Sequence, residues 1–286
     1  MHSNGVRTAM LAILVLGGFA PAAAAGPSAA VSPWVEAQAA RVRLLAGADA
    51  SQPGKALLAG VEITMAEGWK TYWRNPGEAG VPPSFDWSGS SNTASIKVVY
   101  PAPIRLVDPA AEMIGYKTTV LFPVEVTPKV PGEAVELRLA LEFAVCREIC
   151  IPAQASLALS VPPAPLAGAP APALAAALAR VPRAEAQRRD GDPELLGVTP
   201  RLTGPSPSLE IEAKFAGGGA GADVFVEAPD GIFVPMAKKL AGDSDGRVRF
   251  VVDLSRGGSA EELKGKELII TLVSERGASE ANVRID

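Results

Sequence analysis

Apolar and polar residues alternate with period two over most of the chain, the spacing of half-buried strands. The clearest case runs from Glu133 to Cys146. Val135, Leu137, Leu139, Leu141 and Phe143 fall on one face, and Glu136, Arg138 and Glu142 on the other. Ala153 to Val161 supplies the returning strand. Earlier runs at 40–45, 57–65, 85–87, 96–100 and 118–126 read the same way. A helical period is missing and Pro and Gly turns are frequent, so this part is expected to form a β-sandwich.

The pattern lapses from Pro162 to about Arg189, where Pro162-Pro163-Ala164-Pro165 and Ala169-Pro170-Ala171-Pro172 read as linker and 173–180 as one short helix. It resumes at 209–215, 223–228, 248–254 and 267–273, with turns at Gly217-Gly218-Gly219, Asp230-Gly231 and Asp245-Gly246. The expected organisation is all-β, with two sandwiches in tandem joined by an Ala/Pro-rich linker with a short helix. The divisions are 1–25, 30–163, 164–190 and 191–286. The second sandwich holds no cysteine and no cluster of reactive groups, so a structural or docking role is expected of it.

Residues 1–25 have the composition of a secretory signal. Arg7 supplies the positive start, Ala9 to Ala20 the apolar core, and Pro21-Ala22-Ala23-Ala24-Ala25-Gly26 a small-residue cleavage site after Ala25. No later run is long and apolar enough for a transmembrane helix. An exported protein without a membrane span is expected. The single histidine, His2, would leave with the signal. That excludes a Ser-His-Asp triad, a Cys-His dyad and histidine-ligated zinc. A net charge of −4 without a basic block gives no reason to expect a nucleic-acid partner.

The chemistry then rests on the only two cysteines, Cys146 and Cys150, in Ala144-Val145-Cys146-Arg147-Glu148-Ile149-Cys150-Ile151-Pro152. If the first ends one strand and the second begins the next, Arg147-Glu148-Ile149 is a three-residue loop. The cysteines then oppose each other at about 4.5 Å between Cα atoms, close enough for a disulfide. Export favours that bond. Closing so short a loop removes little chain entropy, so the bond contributes little stability. Redox exchange, a structural bridge and a metal site all stay open. Cu(I) would take both thiolates and a thioether from Met65, Met113 or Met236, but nothing in the sequence brings a methionine to the cysteines. Arg147 favours a thiolate and Glu148 opposes it. No Cys-x-x-Cys or βαβ pattern marks a thioredoxin-like domain. The segment Gly68-Trp69-Lys70-Thr71-Tyr72-Trp73-Arg74-Asn75-Pro76-Gly77 reads as core aromatics followed by an edge turn.

That segment, together with Met113-Ile114-Gly115-Tyr116, Leu121-Phe122-Pro123-Val124 and the cysteine stretch, resembles the periplasmic N-terminal region of the thiol:disulfide interchange protein DsbD family, closest to its ScsB (suppressor of copper sensitivity) type. The likeness covers roughly 34–161; the second sandwich resembles the extra one of ScsB-type proteins more loosely. The resemblance implies an immunoglobulin-like sandwich in the periplasm whose Cys146–Cys150 pair takes electrons from a membrane-embedded thiol relay and passes them to periplasmic thioredoxin-like proteins. As an enzyme this would be a protein-disulfide reductase, a role the residues themselves leave open. It also brings copper tolerance and cytochrome c biogenesis as contexts, and no cofactor. A cap loop shields the cysteines in the family. The matching segment here is Glu112 to Tyr116, with Met113, Ile114 or Tyr116 as the shield in place of the family's phenylalanine. By family order Cys150 is expected to form the mixed disulfide. No relay or thioredoxin-like domain follows before Asp286, so the relay is expected in trans. Two alternatives stand beside this reading: a non-enzymatic adaptor with a structural disulfide, and a Cu(I)-binding copper-tolerance component.

Overall fold

The computed structural model describes Met1 and residues 30–48, 57–108, 111–163, 171–242, 245–256 and 260–286. The expected signal segment, apart from Met1, lies outside the described residues. In chain order the first part holds β1 (Ala30–Val31), β2 (Val35–Ala37), β3 (Ala40–Ala48), β4 (Leu57–Met65), β5 (Lys70–Gly77) and β6 (Ser84–Asp86). There follow β7 (Thr93–Val98), β8 (Ile104–Val107), β9 (Glu112–Lys117), β10 (Thr119–Pro128), β11 (Val135–Cys146) and β12 (Cys150–Val161). After α1 (Ala171–Ala179) come β13 (Arg183–Ala184), β14 (Glu194–Arg201), β15 (Ser208–Lys214) and β16 (Asp223–Glu227), then β17 (Lys238–Gly242), β18 (Arg247–Asp253), β19 (Glu267–Val273) and β20 (Ala278–Arg284).

The expected tandem sandwiches are present. One sheet of the first runs β1-β3-β4-β10-β7 with β2 on β3; the facing sheet runs β12-β11-β5-β9-β8 with β6 on β11. The second sandwich pairs β13-β20-β19-β16 with β14-β15-β18-β17. On β11 the alternating apolar side chains of Val135 to Phe143 are buried while Arg138, Ala140 and Glu142 are exposed. Alternation stops at the strand's end, where Phe143 to Cys146 are all buried. There β5 pairs with β11, at Cys146 opposite Lys70, and Thr71 Oγ1 donates a hydrogen bond of 2.8 Å to the Ala144 carbonyl. Side chains from neighbouring strands of the same sheet, Tyr72, Met113 and Leu106, cover the face that would otherwise meet water.

The helix expected at 173–180 forms at Ala171–Ala179 and lies on the first sandwich, with Leu174 fully buried. The Ala102 amide donates to the Arg180 carbonyl at its end. Within the expected linker, Arg183–Ala184 pairs in parallel with β20, and Arg183 bonds the buried carboxylate of Asp192 at 2.8 Å. This end of the linker is thus built into the second sandwich.

Phe122 anchors the core of the first sandwich. It is fully buried, and Phe85, Tyr100 and Tyr116 meet it edge-on with ring centroids 5.5, 5.3 and 5.4 Å away. Edge-to-face packing adds to the area each ring buries. We expect Phe122→Ala to cost about 3–5 kcal/mol of stability, read as a lower midpoint in urea unfolding.

Candidate functional site

Cys146 closes β11 and Cys150 opens β12, opposite each other in the β11–β12 register. Their Cα atoms are 4.1 Å apart and the sulfurs are bonded. The Arg147 amide donates to the Ile149 carbonyl across the three-residue turn. The two cysteines differ in access. Cys146 is 2% exposed, whereas Cys150 is open to solvent beside Ile149, itself 68% exposed at the hairpin tip. Arg147 and Glu148, which oppose each other in sign, are both well exposed and 3.8 Å apart. Solvent screens so exposed a pair, which contributes little to the fold.

The group that touches both sulfurs was not singled out from the sequence. Tyr72 on β5 places its hydroxyl 2.7 Å from Cys146 Sγ and 3.0 Å from Cys150 Sγ. Disulfide sulfurs carry no hydrogen, so the phenol donates. Tyr72 is fully buried, and the Met113 thioether lies 3.7 Å from its hydroxyl. Tyr72, Met113, Leu106, Ala144 and Cys146 form one small cluster apart from the main core. Two glycines make this contact possible. A Cβ on Gly115, opposite Tyr72 in the β5–β9 register, would lie 2.0 Å from the Thr71 carbonyl oxygen. A Cβ on Gly80, whose φ is +126°, would lie 2.3 Å from the Tyr72 ring. Only a residue without a side chain lets β9 and the 78–81 segment close over the phenol.

Of the three residues expected to shield the pair, only Met113 is brought to it. Ile114 and Tyr116 pack in the main core. Tyr116 donates from its hydroxyl to the Pro101 carbonyl at 2.8 Å. Strand alternation explains the split, since Met113 projects from the opposite face of β9 to Ile114 and Tyr116. Residues 109 and 110, just before this strand, lie outside the described residues. Lys70 forms an ion pair with Asp108 next to the site.

The aromatic segment does more than fill a core. Tyr72 faces the disulfide, while Trp73 is fully buried in the main core and meets Phe225 of the second sandwich, with ring centroids 5.9 Å apart. Arg74 lies 4.3 Å over the Trp73 ring. It donates two hydrogen bonds to Glu227 Oε2 and a third to Oε1, and also reaches Glu280. The Gly77 amide donates to Asn75 Oδ1 and closes the turn. The sequence could place an edge turn here but not its neighbour.

Among the described residues no cluster of three or more His, Cys, Asp or Glu is arranged to hold a metal ion. Likewise no described helix is long and apolar enough to cross a membrane.

Residues 41–162 match the family model described as thiol:disulfide interchange protein DsbD, N-terminal. The match covers the first sandwich, which is similar to the N-terminal domain of DsbD proteins. The fold of both sandwiches together is similar to the crystal structure of the N-terminal periplasmic domain of ScsB from Proteus mirabilis. The TM-score is 0.70 at 22% identity, covering 90% of this chain and 99% of that one. No curated protein matches the chain significantly. The DsbD-like match spans the cysteine hairpin, Tyr72 and Met113, and so covers the whole cluster around the disulfide.

All three tyrosines of the chain are held protonated beyond the ordinary phenol value of 10.0. For Tyr72 burial is the main cause and the Asp108 charge adds to it. Burial also raises Tyr100, with Arg74 opposing, and raises Tyr116 furthest. A phenol with a raised pKa in the fold contributes stability that is full below the unfolded value and lost as pH rises through the folded value. Spectroscopic titration is expected to show less tyrosinate in the native protein at pH 10.0 than in the unfolded chain. The unfolded chain is expected to be about half ionised there, with stability falling above that pH.

Proposed function

We propose that this protein is a periplasmic thiol–disulfide exchange protein. Its Cys146–Cys150 pair passes electrons between a membrane-embedded relay supplied in trans and thioredoxin-like partners. The observation that carries this reading is the asymmetry of the disulfide. One cysteine is exposed, and the other is buried against a protonated phenol. A bridge across a preformed hairpin also adds little stability, which weighs against a purely structural role. The DsbD-like match supports the exchange chemistry, and the periplasmic ScsB domain of the same fold supports the compartment.

The steps follow from access. A partner thiolate attacks Cys150 Sγ, forms a mixed disulfide with it and breaks the Cys146–Cys150 bond. The electron pair of that bond leaves on Cys146 as a thiolate. The Tyr72 hydroxyl, 2.7 Å from that sulfur, donates to the developing anion. A second partner thiolate then attacks the partner's own sulfur in the mixed disulfide and releases Cys150 as a thiolate. Protons from solvent complete the dithiol. The partner is oxidised by two electrons and the Cys146–Cys150 pair is reduced by two; the reverse sequence returns them. Exposed Ile149 offers an apolar contact beside the attacked sulfur.

Cys146→Ser is expected to trap a mixed disulfide through Cys150, while Cys150→Ser forms none. Non-reducing gels against a thioredoxin-like protein read both. Unchanged exchange in the Cys146→Ser/Cys150→Ser variant would refute the proposal. Tyr72→Phe keeps the ring and removes the donor, and is expected to slow attack on the oxidised pair about tenfold.

A second reading is favoured by the place of Met113. Once the pair is reduced, two thiolates and this thioether form a soft donor set of the kind Cu(I) prefers. Cu(I) titration of the reduced protein, read by thiolate-to-metal absorbance, is expected to show one equivalent bound and weaker binding in Met113→Leu. No absorbance change in either protein would dismiss copper.

A further inference from the structure

The second sandwich holds β5, the strand that carries Tyr72, and β8, the strand paired with the β9 segment that carries Met113. On β5, Tyr72 faces the sulfurs, and two residues later Arg74 is fixed by Glu227 and Glu280 of the second sandwich. Between them Trp73 packs on Phe225. The Asn75 side-chain amide adds a contact of 3.4 Å to the Val226 carbonyl. On β8, Arg105 makes two bonds to Asp223, at 2.6 and 2.9 Å, and one of 2.9 Å to the Ala237 carbonyl. Its remaining nitrogen reaches Glu112 at 2.8 Å, and Glu112 directly precedes Met113. Leu106, the next residue on β8, pairs with Met113 and belongs to the cluster around the disulfide.

These ion pairs are better placed than ordinary surface ones. The side chains of Arg74, Glu227, Arg105 and Asp223 are 28, 15, 18 and 23% exposed. Both arginines make forked contacts with a carboxylate, a geometry that fixes orientation as well as distance. Burial alone would lower the pKa of Arg74, but Glu227 and Glu280 more than offset it and the guanidinium stays charged. Burial acts the same way on Arg105, and Asp223 and Glu112 outweigh it.

We propose that the second sandwich is a positioning element for the redox pair. Glu227 and Glu280 act through Arg74, and Asp223 through Arg105, to hold Tyr72 and Met113 against Cys146 and Cys150. This rests on the exchange function proposed above and assigns the second sandwich a part in it. Arg74, Arg105, Asp223 and Glu227 are positioning residues, since none touches a sulfur. Weakening them loosens the phenol from the sulfur that must carry negative charge. The pair then becomes a poorer electron acceptor.

The test uses the full exported chain. Asp223→Asn/Glu227→Gln removes both carboxylates without changing side-chain size, and Arg74→Lys keeps charge while losing the fork. Circular dichroism checks the fold. The equilibrium of the Cys146–Cys150 pair with glutathione and the pH profile of its alkylation are then measured, each in the native and the Tyr72→Phe backgrounds. We expect at least about a threefold shift of the equilibrium toward the disulfide, where tenfold would correspond to about 30 mV. A rise in the apparent thiol pKa is expected with it, and both effects should shrink to within error when Tyr72 is Phe. Folded variants with unchanged equilibrium and pH profile, or with the same shift in both backgrounds, would overturn the positioning role. A native pair that exchanges with glutathione but is insensitive to these variants leaves the exchange function standing. A native pair inert to thiols defeats the exchange function and this inference with it.

Discussion

One short contact constrains the rest of the molecule: a phenol hydroxyl held within hydrogen-bond distance of both sulfurs of a disulfide at a strand turn. A hydroxyl removed from water has a strong need for a partner, and a disulfide sulfur is a weak acceptor. The arrangement is thus better matched to the thiolate that appears when the bond opens than to the bond itself. Keeping the phenol there requires β5 and β9 to approach more closely than side chains allow. This explains Gly115 opposite Tyr72, and Gly80 sealing the outer side of the ring.

The same strand divides its side chains between two tasks. Alternation along β5 sends Tyr72 toward the sulfurs and Trp73 into the main core, where Phe225 of the second sandwich completes the packing. The aromatic stretch before the Asn-Pro-Gly turn joins the redox hairpin to the neighbouring domain. Sandwich packing supplies rigidity, since β5 pairs along β9 and meets β11 where Lys70 lies opposite Cys146. The arginines at the domain junction supply direction. Their guanidinium forks fix angles that apolar contact alone leaves free.

The cysteines themselves were legible as a facing pair because a three-residue turn between alternating strands leaves few other arrangements. Tyr72 was not legible as their partner. It lies 74 residues before Cys146 in the chain, in a strand whose neighbours in the sheet cannot be read from alternation. The three candidate side chains of the expected cap segment divide between two faces of β9. Met113 joins the cluster around the disulfide, and Ile114 and Tyr116 serve the core.

The sequence by itself determined the all-β class, the break between two sandwiches and the opposed cysteines. Each depends on local periodicity or on turns of a few residues. Only the tertiary structure decided which strand lies against β11, which face of β9 meets the disulfide, and that Arg74 and Arg105 reach across to the second sandwich. Those outcomes depend on strand order and register between segments far apart in the chain. A period-two pattern specifies that a face is buried, and leaves unspecified what buries it.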